Sequence, residues 1–209
     1  MMAAEFKLWC FGESGNSYKA ALMLSLCGLN WEPVLVDFFN GETRGPDYRG
    51  NVNEMGEAPV LEHNGKRLTQ SGVILDYLAS LTGKFSWKDD DEHREILRWI
   101  LFDNHKFTSY IATLRFMISL AKTGETPVTE FLHGRVNNSM KILDGHLGDR
   151  TYLVGEKPTI ADISMVGYLY YGDELPFAIL PNVSAWTERI KALPGWKHPY
   201  DLMPRKPRA

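Results

Sequence analysis

Apolar and polar residues follow two regular patterns along the first 83 positions of the chain. Phe6 to Phe11 predicts a strand, and Tyr18 to Cys27 predicts a helix of strong helix formers that ends before Gly28. Trp31 to Phe38 predicts a second strand whose centre is apolar enough to be covered on both faces. A strand, a helix and a strand at this spacing predict a right-handed parallel crossover.

A hairpin and a helix are expected after a long polar loop over residues 40–57. Pro59 to His63 and Lys66 to Thr69 predict two strands around Asn64-Gly65, the pair best suited to a type I′ turn. A helix then begins near Ser71 and is closed by Gly83. The order βαβ then ββα predicts a thioredoxin-like domain, in which the proline that opens the third strand often has a cis bond.

Beyond residue 83 the alternating pattern disappears and apolar residues recur at helical spacing. Acidic residues from Asp89 to Glu92 predict a helix start, and the apolar positions of the first long helix are Ile96, Ile100, Phe107, Ile111, Leu114 and Ile118. We therefore expect an α/β thioredoxin-like domain over residues 1–82, a linker over 83–90 and an all-α helical bundle over 91–209.

One local signal in the second half is more specific than periodicity. In VGEKPTIADIS, Thr159 and Asp162 have the spacing of a helix N-cap and its N3 residue, so each side chain can accept from the backbone N–H of the other. This spacing predicts a buried helix cap with a structural role. A further helix is expected to carry Val183, Trp186, Ile190 and Leu193.

The composition is that of an ordinary globular protein and excludes several classes of function. The 209 residues are 44% hydrophobic and carry a formal net charge of −3, so neither a nucleic acid nor an anionic membrane is an expected partner. No apolar run approaches the ~20 residues of a membrane span, and Met1 to Phe11 lacks a signal-peptide pattern. We therefore expect a cytoplasmic protein.

The cysteines, the histidines and the basic tail have simple interpretations. Cys10 and Cys27 lie in apolar surroundings, which predicts two buried thiols and no disulfide. The six histidines show no metal-ligand spacing, so no metal is expected. Met203 to Ala209 carries basic residues among prolines, which predicts a frayed, solvated end.

Two segments carry the candidate chemistry. ESGNS, over residues 13–17, places hydroxyl and amide side chains at a helix start, where unpaired backbone N–H groups and the helix dipole favour a negative charge. Gln70 and Ser71 open the helix after the hairpin, and Ala58-Pro59 precedes the third strand. Together these features predict a pocket for a small anionic thiol.

These motifs in this order resemble the cytosolic glutathione S-transferase superfamily over essentially the whole chain. The resemblance rests on GEAPVL and QS in the first domain and on GEKPTIADI in the second. It implies glutathione as the co-substrate of the first domain, a mostly apolar pocket formed with the second domain for a small electrophilic substrate, and a homodimer with a role in detoxification.

The resemblance assigns roles to individual positions. Gln70 and Ser71 match the pair that holds the γ-glutamyl carboxylate and amine, and Ser71 also opens a helix, where a carboxylate is favoured. Ala58, before Pro59, matches the position whose backbone pairs with the cysteinyl unit, and Glu57 takes the place of a residue near that peptide.

The chemistry requires a thiolate, and a thiol of pKa ~8.5 is only ~3% ionised at pH 7. No tyrosine lies between Trp9 and Gly12, so the chain resembles the serine-type classes, theta, zeta and related bacterial forms. Ser14 falls at the serine position of the zeta pattern and is the favoured thiolate donor, with Asn16 as helper or alternative and a backbone-only site as the third reading.

Other residues near Ser14 are read differently. Ser17 precedes YKAALML and is favoured as the helix N-cap, and it is also a candidate glutathione contact. Gly15 and Asn16 stand where zeta members carry a second serine and a cysteine, which argues against the zeta isomerase activity. Contacts to the acceptor substrate are expected from Phe11, Glu13, Phe107, Tyr110 and Leu114.

Three alternatives to transfer remain open at this point: a glutathione-dependent peroxidase, an isomerase of the same fold, and a non-catalytic binding module. Pro59, Gln70 and Ser71 favour an enzyme, because an interaction module has no need of a γ-glutamyl site. Glutaredoxin-like exchange needs a cysteine at the helix start, where this chain has Ser14 and Ser17.

Overall fold

The chain alternates strands and helices at first and is helical afterwards, as its hydrophobic pattern predicts. The computed structural model describes residues 4–206. Two units are distinguished by their internal contacts: one contains the residues up to Lys84 and those from Pro194 onward, and the other contains Phe85–Leu193.

The first unit is built on a four-stranded mixed sheet in the order β2-β1-β3-β4. The strands are β1 (Phe6–Cys10), β2 (Trp31–Leu35), β3 (Val60–His63) and β4 (Lys66–Thr69). β1 pairs parallel with β2 and antiparallel with β3, which pairs antiparallel with β4. Asn64 and Gly65 both have positive φ angles, 51° and 76°, as the predicted type I′ turn requires.

Three helices complete the β-rich part of this unit: α1 (Gly15–Leu26), α2 (Pro46–Asn51) and α3 (Ser71–Thr82). Gly28 and Gly83 end α1 and α3 in left-handed conformations. The row formed by Ile74 and Leu78 on α3 is fully buried, whereas Val73 and Leu81 are about half exposed. The predicted βαβ-ββα order is confirmed.

Two details of the predicted first domain are wrong. β2 is not covered on both faces: it is an edge strand, Glu32 and Pro33 are exposed, and Leu35 is 40% exposed. An edge position also explains why a proline is tolerated in the strand. The polar loop over residues 40–57 is not structureless, because it contains a 3₁₀ turn at Glu42–Arg44 and helix α2.

The second unit is helical: α4 (Asp90–Phe102), α5 (Thr108–Arg115), α6 (Pro127–His146), α7 (Ile160–Met165) and α8 (Pro181–Lys191). Two π-helical turns, at Asp103–Phe107 and Phe116–Leu120, flank α5. They interrupt the long helix that the apolar spacing predicts. None of the helices within residues 4–206 is long and apolar enough to cross a membrane.

The helix start predicted at Asp89 to Glu92 and the cap predicted at Thr159 and Asp162 are confirmed. Asp89 caps α4 by accepting a hydrogen bond from the Glu92 N–H at 2.8 Å. Thr159 caps α7 in a capping box with Asp162. Val183, Trp186 and Ile190 are the fully buried row of α8.

The end of the chain differs from the prediction. Residues 194–206, expected within the helical domain, group with the first unit, and they include the short helix α9 (Pro199–Leu202). Met203 is buried, and Arg205 and Lys206 form ion pairs with Glu13 and Asp37. Up to Lys206 this segment is therefore held by tertiary contacts and is not frayed, although the side chains of Arg205 and Lys206 are exposed to solvent; Pro207 to Ala209 lie outside the described residues.

Candidate functional site

The start of α1 presents the residues of the ESGNS segment. Ser14 is the N-cap: its backbone is extended (φ −87°, ψ 108°) and its Oγ accepts a hydrogen bond from the Ser17 N–H at 3.1 Å. The prediction that Ser17 is the cap is therefore wrong. The helix begins three residues earlier than the apolar pattern suggests, so Ser17 lies in its first turn.

The hydroxyl of Ser14 retains its proton for a further partner. A serine hydroxyl offers one donor and two acceptor positions. Within residues 4–206, the only hydrogen bond of the Ser14 hydroxyl is the one it accepts from Ser17. Ser14 is 6% exposed, so its O–H is a donor held in a largely dry position at the positive end of a helix dipole.

Two further polar atoms beside Ser14 lack partners. Ser17 Oγ and Asn16 Oδ1 are buried and make no hydrogen bond within the described part of the chain. Buried polar atoms are paired in the large majority of cases, so two orphans in one helical turn need an explanation. The first turn of α1 therefore combines a free hydroxyl donor with two unsatisfied polar atoms.

A second helix start, that of α3, differs from the start of α1 in that it lacks a side-chain cap. Gln70 precedes the helix with a positive φ of 67°, and its side chain does not bond to the helix N–H groups. Its Nε2 donates instead to Glu57 Oε2 at 2.9 Å. Ser71, the first helical residue, is buried. The helix dipole and N–H groups at this point favour an anion such as a carboxylate.

The segment before β3 is held by residues that the sequence analysis missed. The Glu57 carbonyl accepts hydrogen bonds from Tyr48 Oη at 3.0 Å and from Asn53 Nδ2 at 2.8 Å. Both residues are buried, and burial, with a smaller contribution from Glu42, raises the pKa of Tyr48 to about 12. The Ala58-Pro59 bond that follows is cis. The signal in the sequence that could have indicated these contacts is Tyr48, an aromatic residue between Gly45 and Gly50 in the polar loop.

The register of the sheet brings these features to one end of its strands. Trp9 of β1 is opposite Val60, and Val60 is opposite Thr69 of β4. The end of β1, the start of β3 and the end of β4 are therefore neighbours. The segments attached to them are the Ser14 loop, Ala58-Pro59 and the Gln70–Ser71 pair, so the donors predicted from distant parts of the sequence share one end of the sheet.

The predicted acceptor residues fare differently. Phe11 is 8% exposed and stacks on Phe38 at 4.8 Å in a core cluster. Glu13 is 4% exposed and pairs with Arg205. Phe107 and Leu114 have no exposed surface, so they are core residues here and cannot line an open pocket. Tyr110 is partly exposed and remains a candidate.

Neither cysteine is placed for thiol chemistry. Burial raises the pKa of Cys10 to about 12. Burial also raises the pKa of Cys27, against a hydrogen bond with Thr82 and the charge of Lys84. Cys10 lies in β1 and Cys27 follows α1, so neither occupies the helix start. No group of three or more histidine, cysteine or acidic side chains suited to a metal occurs among residues 4–206.

Comparison with protein families gives two matches that follow one another along the chain. Residues 4–80 match "Glutathione S-transferase, N-terminal domain", and residues 107–194 match "Glutathione S-transferase, C-terminal domain". The two matches lie on the sheet-containing region and on the helical region.

Full-length relatives agree with these matches. The chain is 30% identical over 229 residues to glutathione S-transferase F14 of Arabidopsis thaliana, covering 99% of this chain and 89% of the relative. It is also 30% identical to maleylacetoacetate isomerase of Rhizobium meliloti, covering 92% of this chain and 88% of that protein. A crystal structure described as a possible glutathione S-transferase from Rhodopseudomonas palustris superposes with a TM-score of 0.88 at 32% identity, covering 97% and 93% of the two chains.

Proposed function

The chain belongs to the glutathione S-transferase family, and from this premise we propose that it binds glutathione and transfers it to a small, mostly apolar electrophile. In this proposal glutathione binds at the end of the sheet to which the Ser14 loop, Ala58-Pro59 and Gln70–Ser71 are attached. It also includes action in the cytoplasm, as a homodimer, in detoxification. Gel filtration against a monomer of 23.8 kDa tests the homodimer.

Each part of glutathione has a candidate partner. The γ-glutamyl carboxylate suits the uncapped start of α3, where the Ser71 hydroxyl and the helix N–H groups are donors. The γ-glutamyl amine suits the Gln70–Glu57 pair, because the Glu57 carboxylate accepts hydrogen bonds from cations. The backbone of Ala58, before the cis-proline, suits the cysteinyl unit.

The observation that carries the proposal is the hydroxyl of Ser14. Its oxygen accepts a hydrogen bond from the Ser17 N–H, so its O–H remains available to donate to a ligand beside the helix start. Lowering a thiol pKa by ~2 units requires ~2.7 kcal/mol. A hydrogen bond to a charged acceptor supplies ~1.5 to 3 kcal/mol, and a helix N-terminus adds ~0.3 to 1 kcal/mol. One hydroxyl here is therefore sufficient.

The reaction follows from this arrangement. The glutathione thiol loses its proton to solvent, and the thiolate receives the hydrogen bond from Ser14. The sulfur then donates an electron pair to the electrophilic carbon and forms the C–S bond, while the leaving group departs with the electrons of the bond that breaks. Asn16 beside Ser14 is a helper or alternative donor through its side-chain amide.

The test measures the pKa of the thiol of bound glutathione by the ultraviolet absorption of the thiolate. Ser14→Ala removes both the cap and the donor, Ser14→Asp keeps a good capping oxygen without a donor, and Ser14→Thr keeps both. We expect the Ala and Asp variants to raise the thiol pKa by ~1 to 2 units, and the Thr variant to leave it within ~0.5. An unchanged thiol pKa in Ser14→Ala contradicts the role of Ser14.

A matched measurement tests the binding site separately from the chemistry. Ser71→Ala should weaken glutathione binding, measured by calorimetry, more than it changes the thiol pKa of the bound molecule. Equal affinity in the wild type and Ser71→Ala would refute the assignment of the γ-glutamyl site. Tight binding by the wild type without any thiolate at pH 7 would instead support the non-catalytic binding module.

Glutathione-dependent isomerisation is a second candidate, supported by the similarity to maleylacetoacetate isomerase. This reaction also begins with attack of the glutathione thiolate, here on one carbon of a carbon–carbon double bond. The bond between the two carbons is then single and can rotate, and the double bond re-forms as the thiolate leaves. Gly15 and Asn16 differ from the zeta pattern and argue against it. Turnover of maleylacetoacetate with glutathione, compared with turnover of aryl halides and peroxides, distinguishes isomerase, transferase and peroxidase.

A further inference from the structure

Residues 194–206, called the tail from here on, lie along α1 within the first unit. Ser25 Oγ donates to the Gly195 carbonyl at 2.6 Å, and Tyr18 Oη donates to the Lys197 carbonyl at 2.9 Å. The Gly12 N–H donates to the Pro204 carbonyl at 2.8 Å. As the tail proceeds from Gly195 to Pro204, its partners come from earlier and earlier positions, from Ser25 in α1 to Gly12 in the loop before α1. The tail is therefore antiparallel to α1, and its Pro204 lies at the loop that precedes Ser14.

The contact with this loop leaves no spare room. A Cβ atom added at Gly12 would lie 2.5 Å from Cγ of Arg205 and 3.2 Å from Cδ1 of Tyr200. Real Cβ atoms essentially never approach other heavy atoms below 3.0 Å. The stem of Arg205 therefore packs directly on the backbone two residues before Ser14.

Arg205 also meets a buried charge in that loop. Its Nε lies 3.3 Å from Oε1 of Glu13, which is only 4% exposed. The guanidinium lies 3.6 Å from the centre of the Tyr200 ring, so it is stacked as well as ion-paired. A buried carboxylate is costly unless charged or hydrogen-bonding groups offset it, and the Arg205 guanidinium is one group that does so for Glu13.

The neighbouring charges form a second pair. Lys206, the residue after Arg205, pairs with Asp37 in the segment after β2. This hydrogen bond, together with those from Asn40, lowers the pKa of Asp37. Lys19, in the second turn of α1, is the remaining buried cation of this helix. Glu13 immediately precedes Ser14 in the sequence, and Arg205 is the cation of the tail that pairs with it.

We propose that Arg205 is a positioning residue for catalysis, which holds the Ser14 loop in place and offsets the Glu13 charge beside the glutathione thiolate. This inference rests on the proposed function. A negative charge near a thiolate disfavours the thiolate, and a cation paired with that charge removes the penalty. Arg205 would then influence the reactivity of glutathione bound beside Ser14, a residue almost two hundred positions earlier in the sequence.

The experiment measures the thiol pKa of bound glutathione and the pH profile of kcat/KM in variants of the two residues. We expect Arg205→Gln to raise the thiol pKa by about 1 unit and to lower kcat/KM about tenfold at low pH, with the loss disappearing at high pH. Glu13→Gln, with Arg205 intact, should lower the thiol pKa. The double variant should return close to the wild type.

Controls separate this role from a structural one. Arg205→Lys keeps the charge and should hold the thiol pKa near the wild-type value. Lys197→Gln removes one positive charge from an exposed position in the same tail and should change neither readout. A loss of kcat/KM that is equal at every pH, or a double variant as impaired as Arg205→Gln, would overturn the proposal.

The outcomes also separate this inference from the proposed function. A wild type that binds glutathione without forming thiolate contradicts both. A wild type that forms thiolate while Arg205→Gln and Glu13→Gln leave its pKa unchanged contradicts the role of the ion pair alone. Opposite shifts in the two single variants support both.

Discussion

The starts of α7 and α1 are both capped by a hydroxyl side chain, but they differ in how many of the surrounding polar groups are hydrogen-bonded. At the start of α7, Thr159 Oγ1 accepts from the Ala161 N–H at 3.3 Å, and the Asp162 carboxylate accepts from the N–H of Thr159 at 2.8 Å. The same carboxylate accepts from the Leu153 N–H and from Trp186 Nε1, both at 2.9 Å. Burial raises the pKa of Asp162, and these hydrogen bonds oppose that rise.

At the start of α1 the set of hydrogen bonds is incomplete. Ser14 caps the helix, but Ser17 Oγ and Asn16 Oδ1 have no partner within residues 4–206. A buried polar group left unpaired costs ~1 to 3 kcal/mol, so such a site reduces stability. The comparison teaches that a cap whose every group is paired serves the fold, whereas a cap with open groups is suited to a ligand.

The largest effect is expected at the closed cap, the Thr159–Asp162 pair at the start of α7, whose side chains are all hydrogen-bonded. Asp162→Ala leaves the Trp186 indole and two backbone N–H groups without their acceptor, so we expect a loss of about 3 kcal/mol or more in the free energy of unfolding. Urea denaturation measures this loss. Asp91→Ala, at an exposed position in the first turn of α4, is the control and should change stability by less than ~0.5 kcal/mol. A loss below ~1 kcal/mol for Asp162→Ala would contradict the closed cap.

The next effect separates the two caps by function. Ser14→Ala and Thr159→Ala should each cost ~1 kcal/mol of stability, because each removes a helix cap. Only Ser14→Ala should also lower turnover, by ~10 to 100-fold, which corresponds to ~1.4 to 2.7 kcal/mol. Turnover with a saturating electrophile and glutathione, measured beside thermal unfolding, makes the comparison. Equal turnover losses in the two variants would remove the distinction.

The smallest effect concerns the orphan hydroxyl. Ser17→Ala removes a buried oxygen that has no partner in the described part of the chain, so stability should change by less than ~0.5 kcal/mol or should rise. Glutathione affinity, measured by calorimetry, should fall if this hydroxyl contacts the bound molecule. A loss of stability above ~1 kcal/mol would mean that the hydroxyl is already satisfied in the free protein.

Much of the first unit could be predicted because its signals are local. Asn64-Gly65 determines a type I′ turn through two positive φ angles, and the alternation around it indicates both strands. α2 could not be predicted in the same way. It has six residues, including Gly50, and its Tyr48 is fixed by a hydrogen bond to the Glu57 carbonyl. Propensity alone does not indicate so short a helix.

The candidate site was only partly predictable. Gln70 and Ser71 open α3 as expected, and Ser14 is at the helix start. Which of two serines caps α1 could not be read from the pattern, because both precede the apolar positions and both are good caps. Phe107 was chosen from a helical stripe, and such a stripe looks the same whether it lines a pocket or, as here, is fully buried.

By itself the sequence determined the order of strands and helices, the hairpin turn and the Thr159–Asp162 cap. Each of these depends on residues within a few positions of one another, whose interactions form wherever the segment lies. Only the tertiary structure decided that β2 is an edge strand and that the tail runs along α1. The Glu13–Arg205 pair joins residues 192 positions apart, and no local pattern encodes it, because its partners meet only after the sheet and α1 have folded.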